Sequence, residues 1–156
     1  MLKIFTSLLR KTAIKREYSH GEMIEKLLEE HKVFIRSNLV FVETGCGLST
    51  IAINKYAKKM KAIAYSLEYN ADKSIELQKR VGEQVDNIQF VLGDSLKSLP
   101  DIVAKHNIDF LFLDSAASAM QTFQEFLICQ PALLPKACLL IDNASLPGGK
   151  NLLSPV

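Results

Sequence analysis

The sequence predicts an α/β fold in which helices cover both faces of a parallel sheet. Short apolar runs alternate with segments of helical periodicity along most of the 156 residues. The apolar runs are too continuous for strands with one solvated face, and strands buried on both faces are typical of parallel sheets. Right-handed crossovers then give a doubly wound, Rossmann-like sheet with the predicted strands in the order 3-2-1-4-5.

Periodicity places five strands and the helices between them. The predicted strands are Leu39–Glu43, Ala62–Leu67, Ile88–Leu92, Phe110–Leu113 and Cys138–Ile141. The predicted helices are Gly21–Phe34, Ser49–Met60, Ala71–Val81, a stretch after Ser95 that ends near His106, and Ala119–Cys129. Pro131 and Pro135 indicate a loop before the last strand, and the residues from Pro147 onward indicate a loop or tail.

Composition limits the class of protein. At 48% hydrophobic and 23% charged residues the chain is globular, and no apolar run approaches the roughly 20 residues that span a bilayer. Three cysteines without paired spacing favour reduced thiols and a cytoplasmic location. Basic residues are not interleaved with aromatic ones, so nucleic acid is not a predicted partner.

The start of the chain is basic and without acids over residues 1–16. We expect residues 1–20 to form an N-terminal helix or arm that packs on the domain or on the second subunit of a homodimer. A transit peptide or a membrane-surface helix is the alternative. Residues 21–145 form the predicted domain, and residues 146–156 the loop or tail.

A glycine turn follows the first predicted strand. The apolar run of the strand ends at Glu43. Gly45-Cys46-Gly47 follows, and a helical pattern begins near Ser49. Two glycines let the backbone bend sharply and let a ligand approach the free N–H groups of the next helix. The dinucleotide pattern needs a third glycine where this chain has Thr50, which disfavours a nicotinamide oxidoreductase.

Acidic residues stand at the end of every predicted strand or just beyond it. They are Glu43, Glu68, Asp94, Asp114 and Asp142. Parallel strands end at one edge of the sheet, where carboxylates repel one another unless something binds among them. The sequence therefore predicts a ligand cleft there, with helix capping as the alternative for one or two of these acids.

Chemistry suggests a role for several of these residues. Glu68 lies about 20 residues beyond Gly47, where an acid accepts hydrogen bonds from a ribose diol. Asp94 and Ser95 can reach an adenine amino group. Glu43 beside the turn suits a cationic ligand rather than a pyrophosphate. Cys46 is interpreted as a small filler rather than a nucleophile, because no histidine lies near it in the sequence.

These residues resemble a known family. Glu43-x-Gly-x-Gly-x-Ser-Thr50, Glu68 and Gly93-Asp94-Ser95 are similar to the cofactor site of class I S-adenosylmethionine-dependent methyltransferases. The resemblance implies that the glycine turn faces the methionine part of the cofactor, Glu68 the ribose, and Asp94 with Ser95 the adenine. The predicted cofactor-binding residues are Glu43, Gly45, Cys46, Gly47, Ser49, Thr50, Glu68, Tyr69, Asp94, Ser95 and Asp114.

The later motifs, Asp109–Asp114 and Leu139–Asn143, resemble the metal-dependent O-methyltransferases of the catechol O-methyltransferase type. That resemblance implies Asp114, Asp142 and Asn143 as ligands of Mg²⁺ or Ca²⁺, with Asp114 as a catalytic residue. Such an ion would hold a diol-type small-molecule acceptor and lower the pKa of its hydroxyl. The alternative is that Asp142-Asn143 is an ordinary turn after a strand.

Two departures from that family bear on activity. Its usual lysine three residues after the first metal aspartate is Ala117 here, and two further strands are expected beyond Ile141. The resulting hypothesis is a methyltransferase that transfers a methyl group to a small-molecule hydroxyl. The alternative is a non-catalytic cofactor-binding or interaction domain of the same fold.

Overall fold

Six parallel strands form one sheet within the part of the chain that is described. The structure is a computed structural model that describes residues 3–4, 20–30, 37–115 and 118–142. The strands are β1 (Lys3–Ile4), β2 (Val40–Thr44), β3 (Ile63–Glu68), β4 (Ile88–Leu92), β5 (Ile108–Leu113) and β6 (Leu133–Ile141). The helices are α1 (His20–Glu30), α2 (Leu48–Met60), α3 (Ala71–Val81), α4 (Ser95–Val103) and α5 (Ala119–Cys129), with short 3₁₀ turns at Gly82–Val85 and Gln130–Ala132.

The strand order is β4-β3-β2-β5-β6-β1. All five strand pairs are parallel. For the five strands that the sequence predicted, this is the order 3-2-1-4-5, so the predicted fold class is confirmed. From β2 the chain adds β3 and β4 on one side and then β5 and β6 on the other. A doubly wound sheet opens its ligand crevice at such a change of direction.

Burial on both faces explains the continuous apolar runs. Phe41 and Phe110 point to the face covered by α1 and α2, are fully buried, and meet edge to face with ring centroids 5.7 Å apart. Val42 and Leu111 point to the other face, where α4 and α5 cover them. Successive residues of β2 and β5 are therefore buried on opposite faces of the sheet, and a polar residue at any of these positions would lie in a hydrophobic core.

Among the predicted boundaries that fall in the described residues, the largest differences from the structure concern β6 and α4. β6 begins at Leu133 and runs through Pro135, where the sequence indicated a loop. Its register with β5 is irregular between Ile108 and Phe110, and this irregularity accommodates a residue that cannot donate to the ladder. Helix α4 ends at Val103 rather than near His106.

At the N-terminus, Lys3–Ile4 is a strand and not part of the predicted helix. It pairs with β6 at the edge of the sheet, Lys3 opposite Cys138 and Ile4 opposite Leu139. The rest of the predicted N-terminal helix and the predicted tail lie outside the described residues. Docking of the basic segment, dimerisation and a cytoplasmic location stay predictions. No helix in the described ranges is both long and apolar enough to cross a membrane.

The ladder continues one residue past several strands, which fixes the backbone of the site. Each donor is the backbone N–H of the first residue after a strand, and each acceptor is a carbonyl of the neighbouring strand. The bonds are Gly45 N to Leu67 O at 2.7 Å, Gly93 N to Glu68 O at 2.9 Å, Asp114 N to Thr44 O at 2.9 Å and Asp142 N to Leu113 O at 3.0 Å. The residues that follow the strands are thereby held side by side.

Candidate functional site

The two glycines of the turn after β2 have different reasons to be glycine. Gly45 has φ +88°, and a Cβ there would lie 2.2 Å from the carbonyl oxygen of Asp114. Gly47 is extended, with φ 178°, and a Cβ there would have no described atom within 4 Å. The fold therefore requires Gly45, whereas the space above Gly47 belongs to a cavity of about 270 Å³.

Glu43 lies beneath this turn. It is fully buried and accepts hydrogen bonds from the hydroxyls of Ser49, Thr50 (2.7 Å) and Ser66 (2.8 Å). Burial raises the pKa of Glu43 to about 7, although the three hydroxyls oppose the rise. The side chain thus ties the first turn of α2 to β3.

Two residues predicted as direct cofactor contacts therefore take a supporting place. Glu43 and Thr50 are not among the described residues that line the cavities at this edge. Thr50 also accepts from the N–H of Gly47 at 2.9 Å, which shapes the end of the turn. Ser49 borders the smaller cavity together with Gly45, Cys46 and Gly47.

Glu68 ends β3 and organises the middle of the site. Its Oε2 accepts from the N–H of Cys46 at 3.1 Å and from Nζ of Lys73 at 2.9 Å, and its Oε1 accepts from the N–H of Asn70 at 2.8 Å. Burial favours the neutral form, but these donors outweigh it, so the pKa of Glu68 is lowered. Glu68 is therefore a carboxylate that links the glycine turn to α3.

A second cavity of about 340 Å³ extends from Gly45 along the same edge. It brings together five of the residues predicted to bind the cofactor, namely Gly45, Glu68, Tyr69, Asp94 and Ser95. The other described residues of its lining are Leu67, Gly93, Leu96, Ser115 and Gln121.

Asp94 is also the N-cap of α4. Its Oδ1 accepts from the N–H of Leu96 at 3.0 Å. Helix capping was the alternative considered for the acids at this edge. Asp94 caps α4 and also lines the larger cavity.

Asp114 and Asp142 meet at the ends of β5 and β6. Burial, followed by the charge of Asp142 and a hydrogen bond between the two carboxyls, raises the pKa of Asp114. The third predicted metal ligand, Asn143, lies outside the described residues. No group of three or more His, Cys, Asp or Glu side chains gathers to hold a metal ion in the described part of the chain. Of the three predicted metal ligands, the described residues therefore bring together two, the carboxyls of Asp114 and Asp142.

Cys46 has the character of a filler. Its side chain is buried, and burial together with the neighbouring Glu68 raises the pKa of the thiol to about 12. A thiol with that pKa is not a nucleophile near neutral pH, which agrees with the interpretation from the sequence.

Sequence reasoning missed Lys73 and Glu125. Lys73 lies in the first turn of α3 and borders the smaller cavity beside Asp114. An exposed lysine on a polar helix face gives no signal of this position. Glu125 is fully buried on α5 and accepts hydrogen bonds from Ser95, Ser115 and Thr44. It shares the buried face of α5 with Thr122 and Cys129, and an acid on an apolar helix face was the available signal.

The chain matches the model of a known protein family. A protein-family model described as a methyltransferase domain matches residues 42–144 of the 156. That range begins in β2 and includes every described residue that lines the two cavities. No curated protein matches the chain. Since the match covers more than half of the sequence, the chain belongs to the family of methyltransferase domains.

Proposed function

We propose that the chain is an S-adenosylmethionine-dependent methyltransferase and that the two adjoining cavities form its cofactor site. The observation that carries the proposal is the position of Glu68. Its carboxylate borders the larger cavity, and its hydrogen bonds reach Cys46 and Lys73, which border the smaller one. A ribose bound at Glu68 would leave one cavity on each side of it.

The two cavities suit the two ends of that cofactor. The smaller one lies against Gly47 and the N-terminus of α2, where free N–H groups favour a carboxylate such as that of an amino acid. The larger one has Asp94 and Ser95 in its wall, both hydrogen-bonding groups that suit the edge of a purine. Gly45 lines both cavities, so a ligand can run continuously from one to the other.

The charges near the glycine turn suit a ligand with a positive centre. Asp114 borders the smaller cavity and Glu68 the larger one, and Lys73 offsets part of their charge. S-adenosylmethionine would supply a methyl group on a cationic sulfur, and its transfer to an acceptor would release S-adenosylhomocysteine. We propose a small-molecule hydroxyl as the acceptor, as in the catechol O-methyltransferase type, with Asp114 nearest to the reaction.

Metal assistance would come from the carboxyl pair at the ends of β5 and β6. Asp114 and Asp142 are adjacent and would supply two anionic oxygen ligands, which fits a hard cation such as Mg²⁺ or Ca²⁺. Asn143 would be the third ligand. In this arrangement the ion would lower the pKa of the acceptor hydroxyl.

A non-catalytic cofactor-binding domain is the second candidate. Ala117 stands where the resembled family has a lysine base, and this favours binding without transfer.

Calorimetric titration with S-adenosylhomocysteine and with NAD tests the cofactor first. Binding of NAD alone would reject the proposal. Incubation with labelled S-adenosylmethionine and a panel of catechols, simple phenols and aliphatic alcohols then tests transfer, and binding without any methylated product would favour the second candidate.

A further inference from the structure

Glu125 lies behind the wall of the larger cavity and accepts hydrogen bonds from hydroxyl groups of that wall. The side chain is fully buried. Its Oε1 accepts from the hydroxyls of Ser95 and Ser115, the latter at 2.6 Å, and its Oε2 accepts from the hydroxyl of Thr44 at 3.0 Å. Ser95 and Ser115 both line the cavity, so Glu125 contacts the site through them.

This arrangement fixes the direction of two hydroxyl hydrogens. A carboxylate has only acceptors, and a serine hydroxyl has one hydrogen and two lone pairs. Since Ser95 and Ser115 each give their hydrogen to Glu125, only lone pairs remain for the cavity. The amide nitrogen of Gln121 lies 3.4 Å from the Ser95 hydroxyl oxygen and 3.3 Å from that of Ser115, and donates toward them rather than taking their hydrogens.

The need for a carboxylate explains why this position is acidic. A glutamine in the same place has one acceptor oxygen and an NH₂ group that itself requires acceptors. It cannot receive hydrogen bonds from the serine hydroxyls on one atom and from Thr44 on the other. A buried carboxylate is costly unless donors surround it, and the hydroxyls of Ser95, Ser115 and Thr44 supply them.

We infer that Glu125 is a positioning residue that makes Ser95 and Ser115 hydrogen-bond acceptors and so selects a ligand with an amino group at this end of the cavity. The inference rests on the proposed cofactor site and states what that site selects. A 6-aminopurine donates to these oxygens. A 6-oxopurine presents a carbonyl oxygen that faces lone pairs instead.

The test compares S-adenosylhomocysteine with its 6-oxo counterpart, S-inosylhomocysteine, by calorimetry. We expect the wild type to prefer the amino ligand by about tenfold or more, because a site built of hydrogen-bonding groups rejects a ligand that leaves those groups unpaired. In Glu125→Leu no acceptor remains behind Ser95 and Ser115, so both hydroxyls are free to turn their hydrogens to the cavity and the preference should fall toward parity. Glu83→Leu, exposed and on the turn that precedes β4, is the matched control and should keep the preference.

A loss of stability alone would weaken both ligands and leave their ratio unchanged, and that result would overturn the inference. If Glu125→Leu does not fold, Ser95→Ala and Ser115→Ala carry the test: each should weaken the amino ligand and not the oxo ligand. Equal losses for both ligands would show that the hydroxyls do not discriminate between them, and a larger loss for the oxo ligand would show that they present hydrogens; either result is against the inference. Wild-type protein that binds S-adenosylhomocysteine without preference overturns the role of Glu125 alone, whereas protein that binds neither ligand overturns the cofactor site as well.

Discussion

Nζ of Lys73 lies 2.9 Å from Oε2 of Glu68, so a cation of the protein already contacts the carboxylate proposed to bind ribose. The lysine side chain is 54% exposed, and that of Glu68 is 8% exposed. Lys73 therefore has room to move while Glu68 has little. Lys73 also borders the smaller cavity, where the amino-acid end of the cofactor is proposed to lie.

Lys73→Gln tests whether this cation serves the carboxylate of the cofactor. We expect affinity for S-adenosylhomocysteine to fall roughly fivefold, because a half-exposed charge contributes about 1 kcal/mol. Affinity for 5′-methylthioadenosine, which has no carboxylate, should stay the same. Lys79→Gln, exposed on the same helix, is the control. Equal losses for both ligands in calorimetry would assign the effect to Glu68 instead.

Glu68→Ala tests the ribose contact. Loss of a charge-assisted acceptor should weaken S-adenosylhomocysteine binding by about 2–3 kcal/mol, or roughly 30- to 150-fold. Because Glu68 also accepts from Cys46 and Asn70, the melting temperature of the variant is measured alongside. Glu76→Ala on the exposed face of α3 is the control. A folded Glu68→Ala protein with wild-type affinity would reject the assignment.

The two glycines of the turn allow a matched pair of substitutions. Gly45→Ala should destabilise the protein by at least about 2 kcal/mol, because the backbone has φ +88° and the new Cβ collides with the Asp114 carbonyl. Gly47→Ala should leave the free energy of unfolding within about 1 kcal/mol of the wild type. It should nevertheless weaken cofactor binding at least tenfold, since the methyl group enters the smaller cavity. Urea unfolding and calorimetry measure the two effects. A Gly47→Ala protein that binds normally would place the ligand elsewhere.

Stability should depend on the protonation of Glu43. Its pKa is about 7 in the folded protein and 4.5 as the ordinary value, so the native state holds a proton that the unfolded chain has already lost between those pH values. Stability from this group is therefore full below pH 4.5 and is lost as the pH rises through 7, by on the order of 3 kcal/mol. Urea unfolding at a series of pH values should show a shallower decline for Glu43→Gln than for the wild type. Glu76→Gln is the control, and parallel declines for wild type and Glu43→Gln would contradict the prediction.

Divalent cations test the carboxyl pair. If Asp114 and Asp142 bind an ion, Mg²⁺ or Ca²⁺ should raise the melting temperature as RT ln(1 + [L]/Kd), and Asp142→Asn should abolish the rise. The titration runs to tens of millimolar, because a site with few protein ligands has roughly millimolar affinity. A monovalent salt at equal ionic strength controls for screening. A shift no larger than that of the control salt would make Asp142 part of a structural turn.

The fold could be predicted from the sequence because its signals are local. The bounds of α3, α5 and β4 match the periodicity, and the continuous apolar runs of β2 and β5 required a sheet buried on both faces. β1 could not be predicted, since a strand of two residues has no period, and it pairs with a strand that is far from it in the sequence. Pro135 suggested a loop because sequence reasoning cannot see an irregular register between strands.

The site could be predicted only in part. That acids follow the strands could be read from the sequence, but how far each side chain stands beyond the sheet depends on the register between strands. Glu43 pairs with Ser66, and Glu68 lies two residues further along the same face, so Glu43 lies beneath the turn while Glu68 borders the cavity. Lys73 and Glu125 reach the site from helices. Glu125 binds Ser95 and Thr44, which are far from it in the sequence, and nothing in the sequence shows that the exposed Lys73 turns back to Glu68.

The position of β2 has a consequence for synthesis on the ribosome. In the finished sheet β2 pairs with β3 on one side and β5 on the other. The chain reaches β3 soon after β2, but it reaches β5 only after α3, β4 and α4. During translation the central strand therefore has one open, apolar edge until Ile108–Leu113 has emerged, and an open strand edge is the surface on which nascent chains associate with one another.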